Sequence, residues 1–230
     1  MSRVAVVLVD VQRDFLDPTP PSPVGAWQKA FCVPGIQRLL AHARRRGWRI
    51  IHVGTKHESP TSLPLHHRDH GAALYCQAGT PGSDFVVTPV SDEIVLFKTW
   101  YSAFDSPLGA SLEDADTIVW GGIATDCCVQ QSAFDADRRG LRSIIPIQAV
   151  SASSSGTFSA SLTALGKSVA EVVDIDDLLA GEDITNLSIQ SSEIGPQAAR
   201  WFGDQENRLG GTSGLSLDDV LRRLGVPPDD

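Results

Sequence analysis

TIVWGGIATDCCVQQSAFDADRRG, residues 117–140, decides the fold. It opens on a run from Thr117 to Gly122 with no polar alternation, the pattern of a strand buried on both faces in a parallel sheet. The chain then turns directly into a helix. Thr125 or Asp126 stands where a helix cap belongs, the helix extends to about Arg139, and Gly140 stops it.

The same alternation recurs on either side. Val4–Val9 is a second fully apolar run, ending at Asp10. Ile36, Leu39, Leu40 and Ala43 recur at helical spacing in PGIQRLLAHARRRG, which Pro34 opens and Gly47 closes. RIIHVGT and EIVLFK read as further strands, with a loop-like stretch between them from about Lys56 to Ser91. RSIIPI and VAEVVDI complete a set of six strands, with a helix over Phe158–Leu165 between them and a short one over DDLLA. Strands alternating with helices predict a three-layer, Rossmann-like α/β domain with a central, mainly parallel six-stranded sheet flanked by helices. Residues 1–180 are assigned to it. Residues 181–230 are assigned to a C-terminal extension: a linker rich in Ser, Gln, Gly and Asn, then a short amphipathic helix carrying Leu217, Val220, Leu221 and Leu224.

Charge and composition exclude several classes. Nineteen basic against 28 acidic residues give a formal net charge of −9, which opposes binding to nucleic acid. The one dense basic run, Arg44–Arg46, ends a helix, where cations complement the dipole. The run Val4–Val9 is too short for a signal peptide or a membrane span, and no membrane partner is expected. Cys32, Cys76, Cys127 and Cys128 form no CxxC pair, so free thiols in a reducing, cytoplasmic setting are expected. No GxGxxG or P-loop follows a strand, and no cofactor is expected.

In a parallel α/β sheet, ligands bind beyond the carboxyl ends of the strands. Three reactive residues stand at such ends: Asp10, Lys98 and Cys128. Cys128 falls in the first turn of its helix, where unpaired N–H groups favour an anion and should lower a thiol from about 8.5. A buried cysteine can also be a simple small apolar residue. Asp10 at the end of an apolar strand requires a partner, and Lys98 could supply the cation. Acid, base and thiol at one sheet edge suit an activated nucleophile better than any of them alone.

LVDVQRDF (8–15), FKTWYSAF (97–104) and GGIATDCCVQQSAFDADRRG (121–140) are similar to the isochorismatase-like cysteine hydrolase family. That family includes nicotinamidases, N-carbamoylsarcosine amidohydrolases and ureidoacrylate amidohydrolases. The resemblance runs in order from Arg3 to about Ala180. It implies a catalytic triad of Asp10, Lys98 and Cys128, a cis peptide between Ile123 and Ala124, and an oxyanion hole from the N–H groups of Ala124 and Cys128. It implies hydrolysis of a carbon–nitrogen bond in a small amide or ureido substrate, with ammonia released through a thioester. Phe15, Trp100, Tyr101 and Phe104 fall in the matching motifs and are candidate substrate contacts, with core packing as their alternative. The family usually forms homo-oligomers.

The sequence departs from the family in places. Nicotinamidases carry a DxH metal motif after the second strand; here Thr55 stands two before His57. His66, His67 and His70 lie nearby without clear ligand spacing, and no metal is assigned. Gln148 replaces an aspartate usual after the fifth strand. Isochorismatase-type or ester cleavage on the same fold, and a non-catalytic scaffold subunit, are the competing functions. Cys128 weighs against the first, and the complete Asp10, Lys98 and Cys128 set against the second.

Overall fold

The computed structural model describes residues 3–19, 24–112, 114–181, 189–212 and 214–227. β1 (Val4–Val9) is buried at every position. After a single helical turn, α1 (Arg13–Leu16), a 3-10 turn over Trp27–Cys32 leads into α2 (Val33–Arg46), which Gly47 ends at φ 64°. β2 (Arg49–Thr55), a short α3 (Leu65–Asp69) and β3 (Ile94–Lys98) follow. Next come α4 (Leu108–Ser111), β4 (Thr117–Ile123) and α5 (Cys128–Asp137). β5 (Arg142–Pro146), β6 (Val150–Ser151), α6 (Ser155–Ser168), β7 (Ala170–Val173) and α7 (Ile175–Ala180) complete the alternation. Beyond them lie α8 (Ser191–Leu209) and α9 (Leu217–Arg223).

The sheet has the order β3-β2-β1-β4-β5-β7, with β6 beside the end of β4, and these pairings are parallel. From β1 the chain builds outward to β3, then crosses back to β4 and builds the other way. The crevice at this reversal, between β1 and β4, is where such sheets bind ligands. α2 packs on β2 and β4, α5 on β4 and β5, and α6 on β7. The paired glycines in β4 permit its close fit to β1. A Cβ on Gly122, which sits at φ 106°, would lie 2.1 Å from the carbonyl oxygen of Val9.

Three expectations change. A seventh strand, β6, joins the expected six; two residues are too few to leave a pattern. The helix after β4 begins at Cys128, with Cys127 at the cap and no side-chain cap bond, rather than capped by Thr125 or Asp126. The N–H of Thr125 instead donates to Ser151 O in β6 at 3.0 Å. The segment read as a linker forms the 19-residue α8. Its Ile194, Ala198, Phe202 and Leu209 are buried, and the Phe202 ring packs 5.0 Å from Phe31 and 5.4 Å from Phe158. Among the described residues no helix is long and apolar enough to cross a membrane.

Candidate active site

Four strand ends converge at the crevice. Asp10 leaves β1 at φ 56°, in the left-handed region an aspartate tolerates better than most residues, with its N–H bonded to Val53 O. Its carboxylate is 1% exposed. Lys98 Nζ donates to Asp10 Oδ2 at 2.8 Å, to Trp100 O at 2.9 Å and to Thr55 Oγ1 at 3.0 Å. Thr55 Oγ1 in turn donates to Asp10 Oδ1 at 2.9 Å. The three side chains therefore close a ring, and each carboxylate oxygen has a donor. Thr55 is itself clamped by the buried amide of Gln12, which accepts from Thr55 N–H at 2.7 Å and donates to Thr55 O at 2.9 Å. Gly54 leaves room for that amide, since a Cβ there would meet Gln12 at 3.1 Å and the Phe85 ring at 2.8 Å.

Burial alone would lower the Lys98 ammonium. The Asp10 carboxylate, with a contribution from Cys128, outweighs it and holds Lys98 above the ordinary lysine value. The Cys128 sulfur lies 3.8 Å from Lys98 Nζ. All four cysteines are free. The expectation of a lowered Cys128 thiol is reversed in the resting molecule. The hydrogen bond with Cys127, then burial, push Cys128 above the ordinary cysteine value; the same bond lowers Cys127. Lys98 pulls the thiol down and Asp10 pushes it back up, and the ammonium does not offset the Cys127 bond and burial.

At the corner after β4 the Ile123–Ala124 peptide is cis. The N–H groups of Thr125, Cys127 and Val129 donate to backbone carbonyls there, while those of Ala124 and Cys128 enter none of the turn and cap bonds of the corner. Asp10, Lys98, Ala124 and Cys128 all line one cavity of about 270 Å³.

Phe15, Trp100 and Tyr101 also line this cavity. Phe104 is not among its lining residues, a correction to the sequence expectation. It lies in a 3-10 turn against α5, its ring 6.5 Å from that of the buried Trp120 and 4.3 Å from the Arg139 guanidinium. Gln148 ties β5 to α7, donating to Asp174 Oδ2 and accepting from Ile175 N–H. The histidines are engaged locally: His67 Nδ1 lies 2.7 Å from the Tyr75 hydroxyl, and His70 Nδ1 bonds His66 O. The DxH metal position does not fit an ion here, because the Thr55 hydroxyl is committed to Asp10 and Lys98. Among the described residues no group of three or more His, Cys, Asp or Glu is arranged to hold a metal.

Among the residues of the site that escaped the sequence reading are Thr55 and Lys29. Thr55 is the register partner of Lys98 and ends β2 as Asp10 ends β1, so the strand-end rule could have found it. Lys29, on the Trp27–Cys32 turn, also lines the cavity, and no motif or spacing marks it.

The Isochorismatase domain profile matches residues 4–177. Maleamate amidohydrolase of Pseudomonas putida is 28% identical over 77% of this chain and 85% of its own. Nicotinamidase/pyrazinamidase of Mycobacterium tuberculosis is 27% identical over 74% of this chain and 97% of its own. The crystal structure of an isochorismatase family protein from Desulfovibrio vulgaris superposes with a TM-score of 0.70 at 28% identity, covering 77% of this chain and 97% of that one. With sheet, strand-end residues and profile in agreement over most of its length, the chain belongs to the isochorismatase family of hydrolases.

Proposed function

We propose that the protein is a cysteine amidohydrolase that opens a carbon–nitrogen bond in a small, non-peptide amide or ureido compound and releases ammonia. The observation that carries this reading is the convergence of Cys128, Asp10 and Lys98 on one cavity, with Lys98 Nζ in reach of both the sulfur and the carboxylate. The two named relatives, an amidohydrolase of maleamate and a nicotinamidase, support cleavage of a carboxamide.

Cys128 Sγ adds to the substrate carbonyl as Asp10 takes the sulfur's proton, and Lys98 keeps the carboxylate oriented. The oxyanion forms against the N–H groups of Ala124 and Cys128. Collapse of the tetrahedral adduct breaks the C–N bond, and Asp10 returns its proton to the departing nitrogen, so ammonia leaves and a thioester remains. Asp10 then takes a proton from water, whose oxygen attacks the thioester. Collapse releases the acid, and the sulfur recovers its proton from Asp10.

The test is ammonia release across nicotinamide, carbamoyl amino acids, biuret, ureidoacrylate and maleamate, with Cys128→Ala and Cys128→Ser alongside. Loss of turnover in both variants, with unchanged circular dichroism, is expected. Turnover retained by either removes Cys128 from the reaction.

A further inference from the structure

The Asp10–Lys98 pair is self-compensated, so it gives the cavity no net charge with which to choose a substrate. Lys29 is different. It is 9% exposed and lines the same cavity as Cys128. Its Nζ donates to Val24 O at 2.7 Å and stands 5.9 Å from the Phe15 ring centroid. Among the described residues it enters no ion pair. Asp126 also lines the cavity but is exposed, and among the described residues it enters no ion pair. Burial holds the Lys29 ammonium below the ordinary lysine value, while Asp126, Cys128, Cys127 and Asp10 pull it up again.

The turn that carries Lys29 is braced. Its neighbour Gln28 accepts a hydrogen bond from Ser151 Oγ at 2.8 Å, and Phe31 is packed against Phe202 of α8. An ammonium has three donors, and one is used by Val24 O. A buried cation without a counter-ion is costly and is normally paired. The open side of Lys29 faces a cavity partly walled by Phe15, Trp100 and Tyr101, where an incoming anion would be desolvated and the attraction correspondingly strong.

The geometry points to Lys29 as a specificity-determining residue that pairs with a carboxylate on the substrate, at the end away from the scissile carbonyl. The substrate class is then a short amide or ureide bearing an acid group: the half-amide of a dicarboxylic acid, or an N-carbamoyl amino acid. For the scissile end this inference rests on the amidohydrolase reading; for the charged end it rests on Lys29 alone.

Two matched pairs of compounds test it: maleamate against (Z)-but-2-enamide, and N-carbamoylglycine against N-ethylurea. In each pair a methyl group replaces the carboxylate. Binding is measured by calorimetry on the Cys128→Ala protein, so that turnover does not enter. The acid of at least one pair should bind about 100-fold tighter than its neutral partner. Lys29→Gln keeps a donor for Val24 O and removes the charge, so it should abolish the preference; Lys29→Arg should keep it. A merely structural Lys29 predicts the opposite for Lys29→Gln, which would retain the preference and overturn the assignment. So would a Lys29-bearing protein that shows no preference, binds none of the four, or prefers the neutral compounds. That measurement is decisive alone if Lys29→Gln does not fold. Ammonia release by the wild type separates the two readings. Release from the neutral compounds only keeps the reaction and removes the anion site. No release from any of the four, with the binding preference intact, removes the reaction and keeps the site.

Discussion

Replacing Lys98 by methionine keeps an unbranched side chain one atom shorter and deletes its charge. The Asp10 carboxylate, 1% exposed, would then lose its 2.8 Å partner and retain only the Thr55 hydroxyl. Thr55 Oγ1 and Trp100 O would lose the same ammonium. Removing one partner of a buried ion pair costs about 3–5 kcal/mol, because the remaining charge stays buried without compensation. In a chain of this length that lowers Tm by roughly 6–20 °C. Asp10→Asn in the same protein removes the stranded charge. The asparagine can still accept from Thr55, and the residual cost is about 1–3 kcal/mol for one unpaired amide donor. The double variant should therefore be more stable than Lys98→Met by about 2 kcal/mol, although both lack the intact pair. Urea unfolding at pH 7.5, followed by fluorescence and circular dichroism to confirm a single transition, gives the two differences directly. The reasoning is refuted if Lys98→Met lies within about 1 kcal/mol of wild type, or if adding Asp10→Asn destabilises it further.

The remaining predictions concern titration. Cys127→Ala removes the hydrogen bond that contributes most to raising the Cys128 thiol, leaving burial opposed by Lys98. The pH profile for iodoacetamide alkylation of Cys128, read by mass spectrometry, should move to lower pH; an unchanged or upward-shifted profile contradicts the pairing. His52 and His57 are fully buried, and burial holds both below the ordinary histidine value. His52 Nε2 bonds Glu93 while its Nδ1 has no partner, so protonation would create an unpaired buried N–H. A depressed histidine means that the unfolded chain takes up the proton first. Its contribution is complete above about pH 6.5 and declines below it. The urea midpoint should fall from pH 7 to 5.5, and His52→Gln should flatten part of that slope; a midpoint constant over this range contradicts the sign.

What was legible in the sequence follows from which interactions are local. β1 and β4 are buried on both faces, so their apolar runs needed no further context, and the strand-end rule then singled out Asp10, Lys98 and Cys128. The state of the Cys128 thiol was not legible. A first-turn position argues for an anion, but the outcome is set by Cys127, burial and an ammonium opposed by Asp10, which are contacts of tertiary origin. α8 was hidden by its composition. Its Ser, Gly and Asn content and the internal Pro196 suggest a linker, yet Ile194, Ala198, Phe202 and Leu209 follow helical spacing, and packing of Phe202 against Phe31 and Phe158 offsets the poor propensity. That packing bears on the site. The family match ends at residue 177, so α8 lies outside it, while Phe31 belongs to the same short turn as Lys29. The residues assigned to bond cleavage thus stand on strand ends inside the family domain. The residue assigned to substrate choice stands on a turn braced from outside it. A relative lacking that brace could share Asp10, Lys98 and Cys128 in register and still present a different group to the far end of its substrate.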